Sequence, residues 1–439
     1  MTDPLLESAD SAPDSPNYLR AVTDLAERRA VVTQDAIYSD NGIKLVEKGA
    51  RIDGRLYDRL VQHKLREPID RHLTVENAVD AAALVSAAQQ MMQTSGLIRM
   101  MAQSLSAPER MVVPLRHMPL VGPIAFKLTL MREQRPDLFD HSLQMALVAM
   151  FLGIKSGMGE RECIPLVAAA LLHDMGVLHM APEWRDRKNK VTGAERKQLV
   201  AHPITAMLMV RDAQVYPRSV EMAVLEHHER MDGTGYPRGL AGAQISPLGR
   251  ILLLAEVVSA FFEKNTETPG QQLSLALRLN HRKFPSELVG HVLPLLQDDA
   301  DHHNEQNLPV GDRVNALAAT LADAFRQWEQ AKTENSTAQN QPLRDGPASF
   351  IEERLRSLQR ALIEAGAHPE YQAELLKQLS EDPDESAEFA YVIQEALWQL
   401  ESIVNGCQRR WPDELEKKKT PDAVLVAGWC EWVRSRTAA

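Results

Sequence analysis

Apolar residues recur at helical spacing along most of this chain, and one early stretch alternates instead. Between Ala30 and Ile52, Val31, Val32, Ile37 and Tyr38 precede Asp40-Asn41-Gly42, and Ile43, Leu45 and Val46 follow it. Asn-Gly between apolar alternations predicts a hairpin, because both turn positions need positive φ. A short helix is predicted around 54–64, with Leu56, Leu60 and Val61 on one face. Over 72–106, Leu73, Val75, Val79, Ala82, Leu84, Val85, Ala88, Met91 and Met92 have helical spacing, with Thr74 as the N-cap. Helical segments separated by Gly, Pro and Asp fill 119–297. Helical spacing resumes over 350–410, through Phe350, Leu355, Leu358 and Leu362, then Phe389, Val392, Ile393, Leu397 and Leu400. Residues 1–17, rich in Asp, Ser and Pro, read as a disordered tail, and the polar, unpatterned 330–348 as a linker. No internal repeat is visible. The expected fold is mainly α: tail 1–17, N-terminal α+β and helical module 18–115, helical domain 116–329, linker 330–348 and C-terminal helical region 349–439.

Composition narrows this picture. A chain of 439 residues suggests two or three domains. Aromatic residues are only 5%, which favours helices over a β-sandwich. The net charge of −11 argues against DNA and anionic membranes as general partners, so an anionic substrate must be met by metal ions or a few arginines. Three scattered cysteines, Cys163, Cys407 and Cys430, fit a reducing cytoplasm. Met1-Thr2-Asp3-Pro4 does not open a signal peptide. The longest apolar run, 251–262, contains Glu256 and falls short of the ~20 residues of a membrane span.

The candidate chemistry lies in the histidines. His141 follows Asp137-Leu-Phe-Asp at the start of an apolar helix, and His173-Asp174 ends the run Ala168-Ala-Ala-Leu-Leu. His202 stands in Ala201-His202-Pro203, His227-His228 end the helix 219–226, and Glu256 is embedded in Ile251-Leu-Leu-Leu-Ala-Glu-Val-Val. Any one of these, taken alone, reads as a satisfied core or capping residue. Together they put several costly polar groups on apolar helices, and one shared metal centre resolves that cost. Imidazole nitrogens mixed with carboxylate oxygens suit Fe, Mn, Zn, Ni or Co over Ca or Mg.

These residues carry a resemblance. His141, His173-Asp174 and His202 match the pattern of the HD phosphohydrolase superfamily. Glu226-His-His-Glu-Arg-Met-Asp-Gly-Thr-Gly-Tyr-Pro-Arg-Gly-Leu240 resembles the signature of its HD-GYP subfamily. The similarity runs over roughly 120–297, through Gly242, Ile245 and Arg250 to Phe284-Pro285-Ser-Glu-Leu288, and the hairpin module resembles one that often precedes such domains. The resemblance implies an HD-type helical bundle that hydrolyses cyclic di-GMP in bacterial signalling, with two or three divalent transition metal ions, iron or manganese. By position it implies Asp137, His141, His173, Asp174, His202, His227, His228 and Glu256 as metal ligands, with Asp174 bridging and catalytic. It likewise places Gly235, Tyr236, Pro237 and Arg250 against the substrate; Lys264 stands where active members often show an Arg-Pro-Tyr segment, and reads first as a solvated lysine and second as a positive contact to substrate. The chemistry is metal-assisted attack of water on a phosphodiester. The regions 1–115 and 350–439 are assigned from position alone to regulation, a homodimer contact or a signalling partner.

The sequence departs from the family's pattern at substrate contacts. The usual His-Asp-x-Gly-Lys is here His173-Asp174-Met175-Gly176-Val177, so a cationic donor to phosphate is lost. Glu256 stands where Asp is usual, and Ser259 where a second acid is usual. The readings, in order, are a slow or substrate-shifted phosphodiesterase, a degenerate domain sensing cyclic dinucleotide, and a scaffold. Asp298-Asp-Ala-Asp-His-His303 reads as a solvated loop, and Trp398, Trp411, Trp429 and Trp432 as packing for a C-terminal helical unit.

Overall fold

The computed structural model describes residues 14–180, 193–263, 269–297, 311–334, 346–364 and 383–437. The expected loop at 298–303 and Lys264 lie outside them. Two compact units result, one built from Met1–Glu267 and Arg282–Leu295, the other from Thr268–His281 and Leu296–Ala439.

The first unit opens with α1 (Pro16–Arg28), whose first two residues fall in the stretch 1–17 read as a tail; residues 1–13 of that stretch lie outside the described residues. Ser15 caps it by accepting from the Tyr18 N–H, and Pro16 supplies the first helical φ. Strands β1 (Val31–Thr33), β2 (Ile37–Tyr38) and β3 (Lys44–Val46) follow, then α2 (Leu56–Val61) and β4 (Leu73–Val75). β2 and β3 form the antiparallel hairpin predicted at Asn41-Gly42, with Ile37 opposite Val46; Gly42 takes the expected positive φ, 79°, and Asn41 does not. β1 pairs antiparallel with β4, Val31 opposite Val75.

Thr74 is therefore no N-cap. Leu73, Thr74 and Val75 alternate in, out, in, the period of a strand with one covered face. Helix α3 (Ala81–Thr94) starts later, where the Asp80 carboxylate accepts from the Ala83 N–H at 2.7 Å. The expected single helix breaks again at Ser95, whose hydroxyl caps α4 (Gly96–Gln103).

Helices α5 (Val113–His117), α6 (Gly122–Gln134), α7 (Pro136–Lys155), α8 (Glu160–Leu172), α9 (Gly193–Asp212), α10 (Arg218–Glu226) and α11 (Pro247–Glu263) build the rest of this core. α7 packs on α8 and α11, and α10 on α9 and α11. Leu147, Phe151, Leu166, Leu172, Leu252 and Leu254 are fully buried there, each worth about 1.5–3 kcal/mol relative to exposure. Pro136–Lys155 and Glu160–His179 are long and apolar enough to cross a membrane by composition, but most of each is buried inside the fold.

The second unit is all-helical among its described residues. It contains α12 (Pro269–Leu279), α14 (Gly311–Glu334), α15 (Pro347–Glu364), α16 (Pro383–Arg410), α17 (Pro412–Lys417) and α18 (Pro421–Thr437), and α13 (Ser286–Gln297) lies between α12 and α14 in the chain. Trp328 meets Trp429 edge-on at 5.5 Å, and the Trp429 indole donates to the Ala324 carbonyl. Trp411 packs on Phe350, and Trp398 is 48% exposed. α14 and α15 cover both ends of the stretch read as a linker, 330–334 and 347–348.

Candidate metal centre

Helix ends and one helix break place the imidazoles. The last carbonyls of a helix have no intrahelical partner. His173 follows α8 and donates Nδ1–H to the Ala170 carbonyl at 2.7 Å, and His227 follows α10 and donates to Val224 at 2.6 Å. His202 lies inside α9, but Pro203 has no N–H to bond the Leu199 carbonyl, and His202 Nδ1 donates to that carbonyl instead. A carbonyl only accepts, so all three rings carry a proton on Nδ1, and in the neutral form each presents a bare Nε2.

Those Nε2 atoms converge on Asp174, the residue after α8 and His173. Asp174 Oδ1 lies 3.0 Å from His202 Nε2 and 3.7 Å from His227 Nε2; Oδ2 lies 3.5 Å from His173 Nε2 and 4.0 Å from His141 Nε2. Glu256, from α11, sits 3.1 Å from His141 Nε2 and 3.6 Å from His173 Nε2. Two candidate ligand sets result, each able to hold a metal ion: Asp174, His202, His227 and His228, and His141, His173 and Glu256. One Asp174 oxygen faces each set.

The electrostatics follow from burial and proximity. Burial alone would raise the Asp174 and Glu256 carboxyls, but the imidazoles of His173 and His202, and of His141 and His228, hold them well below the usual range when protonated; with Nε2 bare, a bound cation would take over that part. Burial lowers His227 to about 3, helped by His173 and His202, and takes His228 down with help from His227. His141 is the exception: burial opposes its proton, but Glu256 and Glu263 raise it well above the ordinary value.

These donors fit divalent metal ions. His173 Nε2 is buried with no hydrogen-bond partner. The Nε2 atoms of His202 and His227 stand 3.2 Å apart with both ring protons spent on carbonyls, so neither can donate to the other. Lone pairs facing each other beside a carboxylate call for a cation.

Two acids missed in the sequence reading support the centre's rim. Buried Glu229 accepts from the Arg238 and Leu240 N–H groups at 2.8 and 2.9 Å, closing the Gly-Tyr-Pro loop. Glu226, also buried, pairs with Arg238 at 2.7 Å and accepts from the Ser246 N–H. Both stand inside the signature, and only their burial separates them from solvent-facing charges. A Cβ on Gly235 would fall 2.3 Å from the Glu229 Cα, so only glycine allows this fold-back. Tyr236 stacks on His228 with ring centroids 4.6 Å apart, and Pro237 follows it in the same loop.

Other expected residues fall elsewhere. Asp137 is exposed in the first turn of α7 and belongs to neither ligand set; Glu263, two turns beyond Glu256 on α11, takes the place behind His141, with Oε1 2.6 Å from Nδ1. Its signal was that spacing, which puts both acids on one helix face. Arg250 commits Nε to the Ile245 carbonyl. Val177 is buried at 1% exposure.

The family model of the HD domain matches residues 128–283, the stretch that carries every ligand above. A cyclic di-GMP phosphodiesterase of Borreliella burgdorferi is 31% identical over 27% of this chain and 31% of its own length. A cyclic di-GMP phosphodiesterase of Pseudomonas aeruginosa is 30% identical over 34% of this chain and 37% of its own. A 3'3'-cGAMP-specific phosphodiesterase of Vibrio cholerae is 30% identical over 32% and 30% respectively. The chain thus spans about a third of the length of the curated relatives it matches. Family model and site geometry agree that residues 128–283 of this chain form an HD domain, and the run 226–240 inside it resembles the HD-GYP signature.

Proposed function

We propose that this chain is a metal-dependent phosphodiesterase that hydrolyses a cyclic dinucleotide, cyclic di-GMP first, in bacterial second-messenger signalling. The observation that carries the reading is the convergence of His173, His202 and His227 Nε2 on Asp174, whose two oxygens face two ligand sets. Bound divalent ions, iron or manganese, would supply Lewis acidity to the phosphodiester and a water ionisable near neutral pH. Asp174 keeps the two sets in register, and Glu256 pulls His141 and His173 together. Three buried helix carbonyls hold the rings in the ligand tautomer. Tyr236 and the Gly235 backbone form the rim for the dinucleotide, and Glu229 fixes that rim. The free cysteines and the cyclic dinucleotide substrate support a cytoplasmic setting.

A second reading rests on Val177. A missing donor to developing phosphate charge is worth about 10²–10³ in turnover, which favours slow chemistry or a sensor that binds without cleaving. Protein loaded with Mn²⁺ or Fe²⁺ is incubated with cyclic di-GMP and the linear product is followed. Slow hydrolysis that disappears, together with bound metal, in a His173→Ala, Asp174→Ala variant is the expected result. Micromolar binding without product selects the sensor, and a wild type that holds no metal overturns both.

A further inference from the structure

We infer that Ser15, Asn17, Tyr18, Asp70 and Lys127 are positioning residues of the metal centre, acting through the 3-10 turn Met175–His179. The inference rests on the metal-binding reading above, and not on turnover. The turn begins at the residue after Asp174. Its far end is clasped by α1: the His179 carbonyl accepts from Ser15 Oγ at 3.1 Å and Asn17 Nδ2 at 3.3 Å. The Tyr18 ring lies flat on the His179 ring, centroids 4.7 Å apart and planes within 6°. His179 Nε2 is buried with no hydrogen-bond partner, so the stacked face of Tyr18 helps fix that ring.

Tyr18 is fixed in turn. Its hydroxyl donates to Asp70 Oδ2 at 2.7 Å, and the same oxygen pairs with Lys127 Nζ at 2.7 Å; all three side chains are buried. The opposite side of the turn presses on α9. A Cβ on Gly176 would lie 2.2 Å from the His202 carbonyl, so no side chain separates them. The turn is thus wedged between α1 and the helix bearing His202, with Asp174 at its start. A shift of α1 therefore moves Asp174 relative to His202, and these two must share a metal. A buried ion pair is a poor source of stability, since apolar replacements are often as stable, and in some proteins such groups serve instead to specify one arrangement. Its place here is what a positioning role requires.

The test uses Co²⁺, whose visible d–d absorption reports coordination geometry. Full-length wild type, Ser15→Ala/Asn17→Ala, Lys127→Met and Lys127→Arg are titrated with Co²⁺, and their apo melting temperatures are measured. Retained cobalt stoichiometry, a shifted or weakened d–d band at saturation and a roughly tenfold or greater loss of affinity are expected in the first two variants, with recovery in Lys127→Arg. Wild-type bands and affinity in variants that only melt earlier overturn the inference and leave the metal reading intact. A wild type that takes up no cobalt overturns the metal reading, and the inference with it. Should Lys127→Met not fold, Ser15→Ala/Asn17→Ala decides alone, because it removes hydrogen bonds at the partly buried end of α1 and no core contact.

Discussion

His141 differs from the other imidazoles in what stands behind it. It lies in the interior of α7, where backbone carbonyls are already bonded, so a carboxylate, Glu263, meets its Nδ1. Partners of this kind set ligand basicity, and losing one typically costs 10–100-fold in metal affinity. Glu263→Ala should weaken metal binding by about that range in chelator competition, and Glu263→Gln by less. Asp137→Asn should leave affinity unchanged, because Asp137 is exposed and outside both ligand sets. The residues of the two proposed ligand sets were legible from a histidine or acid standing on apolar helices. Glu263 was not, because a glutamate at the end of a helix resembles any solvated terminal charge. A second residue-scale consequence concerns Asp14, whose carboxyl is pushed up to about 7 by burial and then by Asp70. A raised folded value means stability present below about pH 4 and lost as pH rises towards 7. Asp14→Asn keeps an acceptor for the Ile69 N–H. Its melting temperature relative to wild type should therefore climb between pH 4 and 7 and level off above; a flat difference would contradict this.

At the scale of elements, the site is made from places where helices stop being regular. Pro203 is the clearest case, because it disfavours α9 and frees the carbonyl that orients His202. Pro203→Ala restores an N–H that competes for the Leu199 carbonyl. Proline inside a helix costs about 3 kcal/mol relative to alanine, so apo stability should rise by a few degrees in a thermal melt. Metal affinity, measured by competition, should fall about tenfold or more as the tautomer lock loosens. Opposite signs for the two readouts separate this account from plain damage to the helix, in which both would fall. Element type was legible wherever periodicity ran long, and at Asn41-Gly42, where the turn demands particular residues. It was misread at Thr74, because Val75 and Val79 are four apart and continue the helical spacing of the segment that follows. The pairing of β4 with the distant β1 settled the matter, and local pattern carries no record of it.

For the molecule as a whole, every proposed ligand belongs to the first compact unit, while five of the six tryptophans, Trp328, Trp398, Trp411, Trp429 and Trp432, belong to the second. Periodicity could not assign α12 to a unit: its residues were read with the helical domain, yet it packs on α16, next to the Asn280–Glu395 hydrogen bond at 2.8 Å. The division separates two observables. Metal that binds only the folded state stabilises it by about 2.7 kcal/mol at a hundred times Kd. That gain should enter the unfolding of the first unit and not of the second. Trp184 lies outside the described residues, so a Trp184→Phe variant confines tryptophan emission to the second unit. Melting with and without saturating Mn²⁺, followed by far-UV circular dichroism, should then show a metal-dependent upward shift in one helical transition. The emission transition, reporting Trp328 against Trp429, should stay in place. If both signals move together by the same amount, the two units unfold as one cooperative body and the metal centre stabilises the entire chain.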